Sequence, residues 1–261
     1  MPASPTRFVL DGRTAIVTMD HPAKRNALGA DMARAIVADL DRARQAQARC
    51  LILRAPPGSA VWSAGHDIDE FPAARRDPLG WDDPFRVMLR AIEDFPAPVI
   101  ALIEGGVWGG ACEMAMSCDI LVATPDVRFS ITPGRLGVPY SIAGLLTLTN
   151  AAGLGLVKEM LFTAHPLDAE RAERLGVVNH VVPAGQIEDF CRRLAQDIEV
   201  LAPLALSAMK ESLRVLAGAH AMPPDAFERL QGLRRAVYDS DDYEEGLRAF
   251  RERRKPDFKG R

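Results

Sequence analysis

Apolar residues in this 261-residue chain fall into short runs that alternate with segments of helical spacing. Phe8-Val9-Leu10 and Ala15-Ile16-Val17-Thr18-Met19 flank the turn residues Asp11-Gly12 and predict a hairpin. Met32, Ile36, Leu40 and Ala43 then share one helical face, and Cys50-Leu51-Ile52-Leu53 follows as a buried strand, which makes a β-β-α unit. Phe85, Met88, Leu89, Ile92 and Phe95 mark a second helix that stops at Pro96 and Pro98 before the strand Val99-Ile100-Ala101-Leu102-Ile103. A short helix through Glu113 to Ser117 leads to the strand Ile120-Leu121-Val122-Ala123. Phe129-Ser130-Ile131, an apolar helix between Gly144 and Phe162, and a strand over Val177-Val178-Asn179-His180-Val181-Val182 complete this region.

Beyond Pro183 the pattern is helical throughout, with stripes at Phe190, Leu194 and Ile198, at Leu206, Met209 and Leu213, and at Phe227, Leu230, Leu233 and Val237. A strand-free run of amphipathic helices must pack on the main body or on a neighbouring subunit. The expected organisation is an α/β core over residues 1–186 followed by a helical region over 187–261.

Composition narrows the function classes. A hydrophobic content of 48% is ample for a core, and a net charge of −3 argues against a nucleic-acid or anionic-membrane partner. The N-terminus lacks the apolar stretch of a signal peptide, and no run approaches the roughly 18 residues of a membrane span, so a cytoplasmic protein is expected. Cys50, Cys112, Cys118 and Cys191 show no CxxC spacing and lie in apolar surroundings, as reduced core residues do, and His21, His66, His165, His180 and His220 are scattered. No metal site is expected.

Two loops carry the candidate chemistry. Ser63-Ala64-Gly65-His66-Asp67 and Trp108-Gly109-Gly110-Ala111-Cys112-Glu113 each follow an apolar run, and each reads as opening a helix. Glycine permits positive φ or a close approach to ligand, and a helix start carries N–H groups without an intrahelical partner. The pair can therefore aim two backbone N–H groups at one oxygen, which is how an oxyanion hole is made.

Five stretches, in order, resemble the crotonase (enoyl-CoA hydratase/isomerase) superfamily: Lys24-Arg25-Asn26-Ala27-Leu28, Ser63 to Ile68, Gly106 to Met114, Cys118-Asp119, and Arg254-Lys255-Pro256-Asp257-Phe258. The resemblance implies a spiral of β-β-α units with a helical C-terminal trimerisation region, assembling as a homotrimer or as a hexamer. It implies an acyl-CoA thioester substrate, no separate cofactor, and an enolate held by the N–H groups of His66 and Gly110. Lys24 and Lys255 are expected at the charged end of the ligand, with Ala64, Gly65, Asp67 and Ile68 along its pantetheine.

A hydratase of that family uses two glutamates. Glu113 fills the first position, and Pro133, which cannot transfer a proton, falls at the second. Nearby stand Thr132, in Ser130-Ile131-Thr132-Pro133, and Tyr140, in Gly137-Val138-Pro139-Tyr140. Losing CO₂ from a malonyl-type thioester needs no base, because the breaking bond leaves its electrons on the enolate. Thr132 and Tyr140 can hydrogen-bond the departing carboxylate, and Tyr140 can help return a proton. These residues, with Gln231 to Ser240, resemble the decarboxylating branch of the superfamily, which implies a biotin-independent conversion of methylmalonyl-CoA to propionyl-CoA. Two readings stand beside it: an enoyl-CoA isomerase or weak hydratase using Glu113 alone, and a catalytically silent acyl-CoA-binding protein.

Several of these residues also have structural explanations. Glu113 in a first helical turn is favoured by the helix dipole, and Asp67 suits an N-cap. Tyr140 can satisfy a core hydrogen bond, Trp108 can be packing, and Lys255 and Arg75-Arg76 fit a solvated surface.

Overall fold

The computed structural model describes residues 4–71, 80–219 and 221–261. Arg75-Arg76 and His220 lie outside the described residues.

The expected hairpin forms from β1 (Thr6–Asp11) and β2 (Thr14–Met19), which pair antiparallel. The chain then contributes strands in pairs: β3 (Cys50–Arg54) and β4 (Val61–Ser63), β5 (Val99–Ile103) and β6 (Gly106–Trp108), β7 (Ile120–Ala123) and β8 (Arg128–Ser130). The first strand of each pair joins a six-stranded sheet of order β1-β2-β3-β5-β7-β10, in which β10 is His180–Val181. The second joins a smaller sheet of order β4-β6-β8-β9, in which β9 is Leu167–Asp168. A helix follows each pair: α1 (Ala30–Gln45), α2 (Pro84–Glu93), α3 (Gly110–Met116) and α4 (Ile142–Ala152). This repetition is the spiral of β-β-α units.

Alternation along the strands divides the core. Leu51, Leu53, Val99, Ala101, Ile103, Leu121 and Ala123 face the main cluster, with α1, α2 and α3. Cys50, Ile52, Ile100, Leu102 and Val122 face the opposite way, because successive side chains leave opposite faces of a strand. All four cysteines are buried and free.

The structure differs from the sequence pattern in five places. The apolar stretch read as one helix is two, α4 and α5 (Leu154–Thr163), separated at Gly153, whose φ of +73° ends the first. The strand over 177–182 is reduced to His180–Val181, and the helix read from Glu113 begins earlier, at Gly110. The loop at Ser63 opens only a 3-10 turn, Ile68–Glu70. After the short α6 (Ala169–Arg174), α7 (Ala184–Glu199) starts before residue 187 and lays Ile187, Cys191, Ala195 and Ile198 on the back of the main sheet. The 186/187 boundary therefore cuts off a helix that belongs to the core.

The remaining helices are α8 (Pro203–Ala217), α9 (Pro224–Tyr238) and α10 (Asp241–Arg251). Lys210 ties α8 to the sheet through Asp119 Oδ2, at 2.6 Å. Much of the apolar surface of α8 and α9 stays exposed, with Leu204, Met209, Leu213, Leu216, Phe227 and Leu233 all open in the single chain. Tyr243 and Leu247 of α10 pack instead with Phe71, Val138 and Tyr238, beside the segment that carries Thr132 and Tyr140. No helix among the described residues is long and apolar enough to cross a membrane.

Candidate active site

Two glycines bring the loops together. Gly65 has φ +84°, and a Cβ there would stand 2.2 Å from the Trp108 carbonyl and 3.0 Å from Gly110 N. Gly109 has φ +54°, and its N–H donates to Ser130 O at 2.8 Å, which turns the next peptide toward the first loop. Both conformations are costly for a residue with a Cβ. The first loop is held by Ser63 Oγ, which donates to Asn26 O at 2.7 Å and accepts from Gly65 N at 3.2 Å. The N–H groups of His66 and Gly110 are thus neighbours: His66 N lies 3.3 Å from where a Gly110 Cβ would be. Neither donates to a backbone carbonyl among the described residues. The Gly110 N–H belongs to the first turn of α3, where the dipole adds positive potential.

The His66 imidazole lies beside Phe71 and Phe85, with ring centroids 4.8 Å and 5.4 Å away. Burial holds its pKa below the ordinary value of 6.5, so the ring is neutral at neutral pH. Phe85 also closes over Gly110, where its Cζ is 3.0 Å from a Cβ position. Its position behind the hole is a contribution that the helical stripe of α2 did not reveal.

Glu113 is 2% exposed, and its Oε1 accepts from Arg86 Nη1 of α2 at 2.5 Å. A Cβ at Gly144 of α4 would lie 2.8 Å from both carboxylate oxygens, so α4 walls the carboxyl in. Burial pushes the Glu113 pKa up to about 7, with Arg86 restraining the rise and Glu93 adding to it. Arg86 was not singled out in the sequence, because one arginine beside the stripe Phe85, Met88, Leu89 and Ile92 reads as a solvated residue. Its side chain is in fact 12% exposed. Glu93 accepts from Ser117 Oγ at 3.2 Å.

Tyr140 donates its hydroxyl hydrogen to Gly109 O at 3.1 Å, which fixes it against the glycine preceding Gly110. Burial, and then the nearby Glu113 charge, raise its pKa well above the usual phenol value, so the hydroxyl keeps its proton. Thr132 Oγ1 lies 3.6 Å from a Cβ position on Gly109. Pro133 begins the 3-10 turn Pro133–Leu136 and brings no acid to the site. Gly109 is therefore the point at which the backbone hole, Tyr140 and Thr132 converge.

Lys24 Nζ pairs with Asp67 Oδ2 at 2.6 Å on the rim, and Asp67 Oδ1 caps the 3-10 turn by accepting from Asp69 N at 3.1 Å. Ala64 N donates to Arg25 O at 2.9 Å, and Ile68 packs beside Phe71 and Val138. Lys255 is exposed on the tail. No hydrogen bond or ion pair joins it to the Lys24 loop among the described residues, whereas the preceding Arg254 is paired with Glu245 at 2.5 Å. Nor do the described residues contain a cluster of three or more His, Cys, Asp or Glu suited to a metal ion.

A two-sheet spiral that presents paired N–H donors matches a known family, and the comparison is direct. The enoyl-CoA hydratase/isomerase family model matches residues 11–261, and the chain belongs to that family. Within it, the chain is 50% identical over 248 residues to the methylmalonyl-CoA decarboxylase of Escherichia coli K12, covering 95% of each sequence. A crystal structure of methylmalonyl-CoA decarboxylase complexed with 2S-carboxypropyl-CoA superposes with a TM-score of 0.97 at 48% identity, covering all of both chains. The 2,3-dehydroadipyl-CoA hydratase of E. coli K12 is more distant, at 31% identity over 253 residues, covering 95% of this chain and 96% of that one.

Proposed function

We propose that the protein is a methylmalonyl-CoA decarboxylase, releasing propionyl-CoA and CO₂ without biotin or a metal. The observation that carries this reading is the composition of the pocket beside the hole. The Glu113 carboxylate is clamped by Arg86, and proline stands where a hydratase has its second acid. Water addition therefore lacks its pair of acids, whereas decarboxylation requires only a place for the electrons and a proton.

In this reading the thioester oxygen accepts from the N–H groups of His66 and Gly110. The Cα–carboxylate bond breaks, CO₂ departs, and the electron pair forms an enolate whose oxygen is held by those two donors. Donors fixed in advance where charge develops are worth more than the same groups in water, because nothing has to reorganise. The Thr132 hydroxyl, and the Tyr140 hydroxyl once it turns from Gly109 O toward the substrate, hold the carboxylate by hydrogen bonds that leave it ionised. The proton that completes propionyl-CoA is delivered at Cα with help from Tyr140. Lys24, held by Asp67, is assigned to the charged end of coenzyme A, with Ala64, Gly65, Asp67 and Ile68 along the pantetheine. Lys255 is assigned to the same end from the tail.

The experiment is to treat the purified protein with a chelator, supply methylmalonyl-CoA, and identify the products by mass. Propionyl-CoA and CO₂ are expected. Efficient hydration of crotonyl-CoA with no CO₂ above background would overturn the reading.

The exposed stripes of α8 and α9 support burial against further copies of the chain, which we assign to a homotrimer or a hexamer of two trimers; a cytoplasmic location is part of the same proposal. Light scattering should give a mass that is a multiple of three chains. A fully active monomer would contradict it.

A further inference from the structure

We propose that Arg86 is a positioning residue that sets the acyl preference of the site. By pairing with Glu113, it allows a carboxylated acyl group to sit beside a protein carboxylate that would otherwise repel it. The inference rests on the decarboxylase reading above and deepens it.

Glu113 lies in the first turn of α3, just past the hole donor Gly110. It cannot swing aside, because Gly144 of α4 packs on its oxygens. The charged and titratable groups around it are Arg86 and Glu93 from α2, Tyr140 from the segment before α4, and Cys112 on its own helix. Of these Arg86 is the one cation. Tyr140 and Thr132 offer hydrogen bonds to a substrate carboxylate but no charge. If Arg86 were absent, Glu113 would have to bind a proton before a carboxylated acyl group could sit beside it, because like charges interact strongly in a pocket closed to water on the α4 side. With Arg86 in place at 2.5 Å, the pair presents no net charge to the ligand.

Arg86 could instead grip the substrate carboxylate itself, and a rescue experiment separates the two arrangements. Binding of 2-carboxypropyl-CoA, which has no thioester carbonyl to accept electrons, is measured by calorimetry alongside propionyl-CoA, which has no carboxylate. At a pH high enough to keep Glu113 ionised in the variant, Arg86→Met should weaken 2-carboxypropyl-CoA by about a hundredfold and propionyl-CoA by less than about threefold, and the loss should shrink toward lower pH as Glu113 takes up a proton. Arg86→Lys, which keeps the charge but loses the fork, should lose no more than about tenfold. The double variant Arg86→Met/Glu113→Gln should recover 2-carboxypropyl-CoA binding to within about fivefold of the original, because the charge requiring neutralisation is gone.

A double variant that is unfolded, or that binds as poorly as Arg86→Met alone, overturns the proposal. So does an Arg86→Met protein that weakens both ligands equally. Failure of the original protein to form propionyl-CoA would sink the decarboxylase reading, while the two binding series still decide whether Arg86 governs preference for a carboxylated acyl group.

Discussion

The paired N–H groups of the two glycine loops are main chain, and the polar pocket next to them is made of side chains drawn from three separate segments. His66 and Gly110 offer their N–H groups because Gly65 and Gly109 let the two loops approach. Glu113, Arg86, Tyr140 and Thr132 converge from α3, α2 and the segment around the 3-10 turn Pro133–Leu136, and their properties come from burial and from one another. A backbone donor cannot be deleted by truncating its own side chain, only by moving the loop. A side-chain group can be removed singly, and its neighbours then change protonation or charge balance. In the proposed mechanism one scaffold thus keeps the enolate site fixed while the adjacent pocket decides which bond breaks.

The largest effect should come from breaking the backbone half. Gly65→Ala places a methyl 2.2 Å from the Trp108 carbonyl and also demands positive φ from alanine. The loops must part, and kcat should fall by about a thousandfold or more, since losing one hole donor alone costs roughly a hundred- to a thousandfold. Steady-state turnover of methylmalonyl-CoA measures this, and near-normal turnover would mean that the hole lies elsewhere.

A smaller effect is expected from the side-chain half. Tyr140→Phe removes one hydroxyl and keeps the ring against the core, so kcat should drop by about ten- to a thousandfold. The inhibition constant for propionyl-CoA should barely change, which would assign the hydroxyl to the reacting state rather than to packing. Normal kcat would leave Tyr140 as a core residue bonded to Gly109 O.

The contrast between the halves also explains what the sequence made legible. The main-sheet strands were visible because Cys50 to Leu53 and Val99 to Ile103 are apolar at every position, as strands covered on both faces must be. The two glycine loops were visible as a pair, because one small-residue turn is mostly a packing device whereas two such turns, each after an apolar run, are far more specific. β4 and β6 were hidden inside those same motifs, being only three residues long. The break between α4 and α5 was hidden because apolar residues continue across Gly153 and periodicity reports facing, not continuity. Arg86 was hidden for a different reason. Its importance comes from Glu113, 27 positions away, and no local pattern encodes that contact.

In the proposed mechanism CO₂ loss is driven by the backbone hole and needs no carboxylate base. The direct measurement is turnover of methylmalonyl-CoA by Glu113→Gln, which keeps the side-chain shape and a hydrogen-bond acceptor for Arg86 while removing the group that could take a proton. The account predicts propionyl-CoA as the product, with kcat within about tenfold of the original protein, since no general base contributes its usual hundredfold or more. A thousandfold loss in this variant, with Tyr140→Phe turning over normally, would contradict it and move the chemistry to glutamate-driven proton transfer.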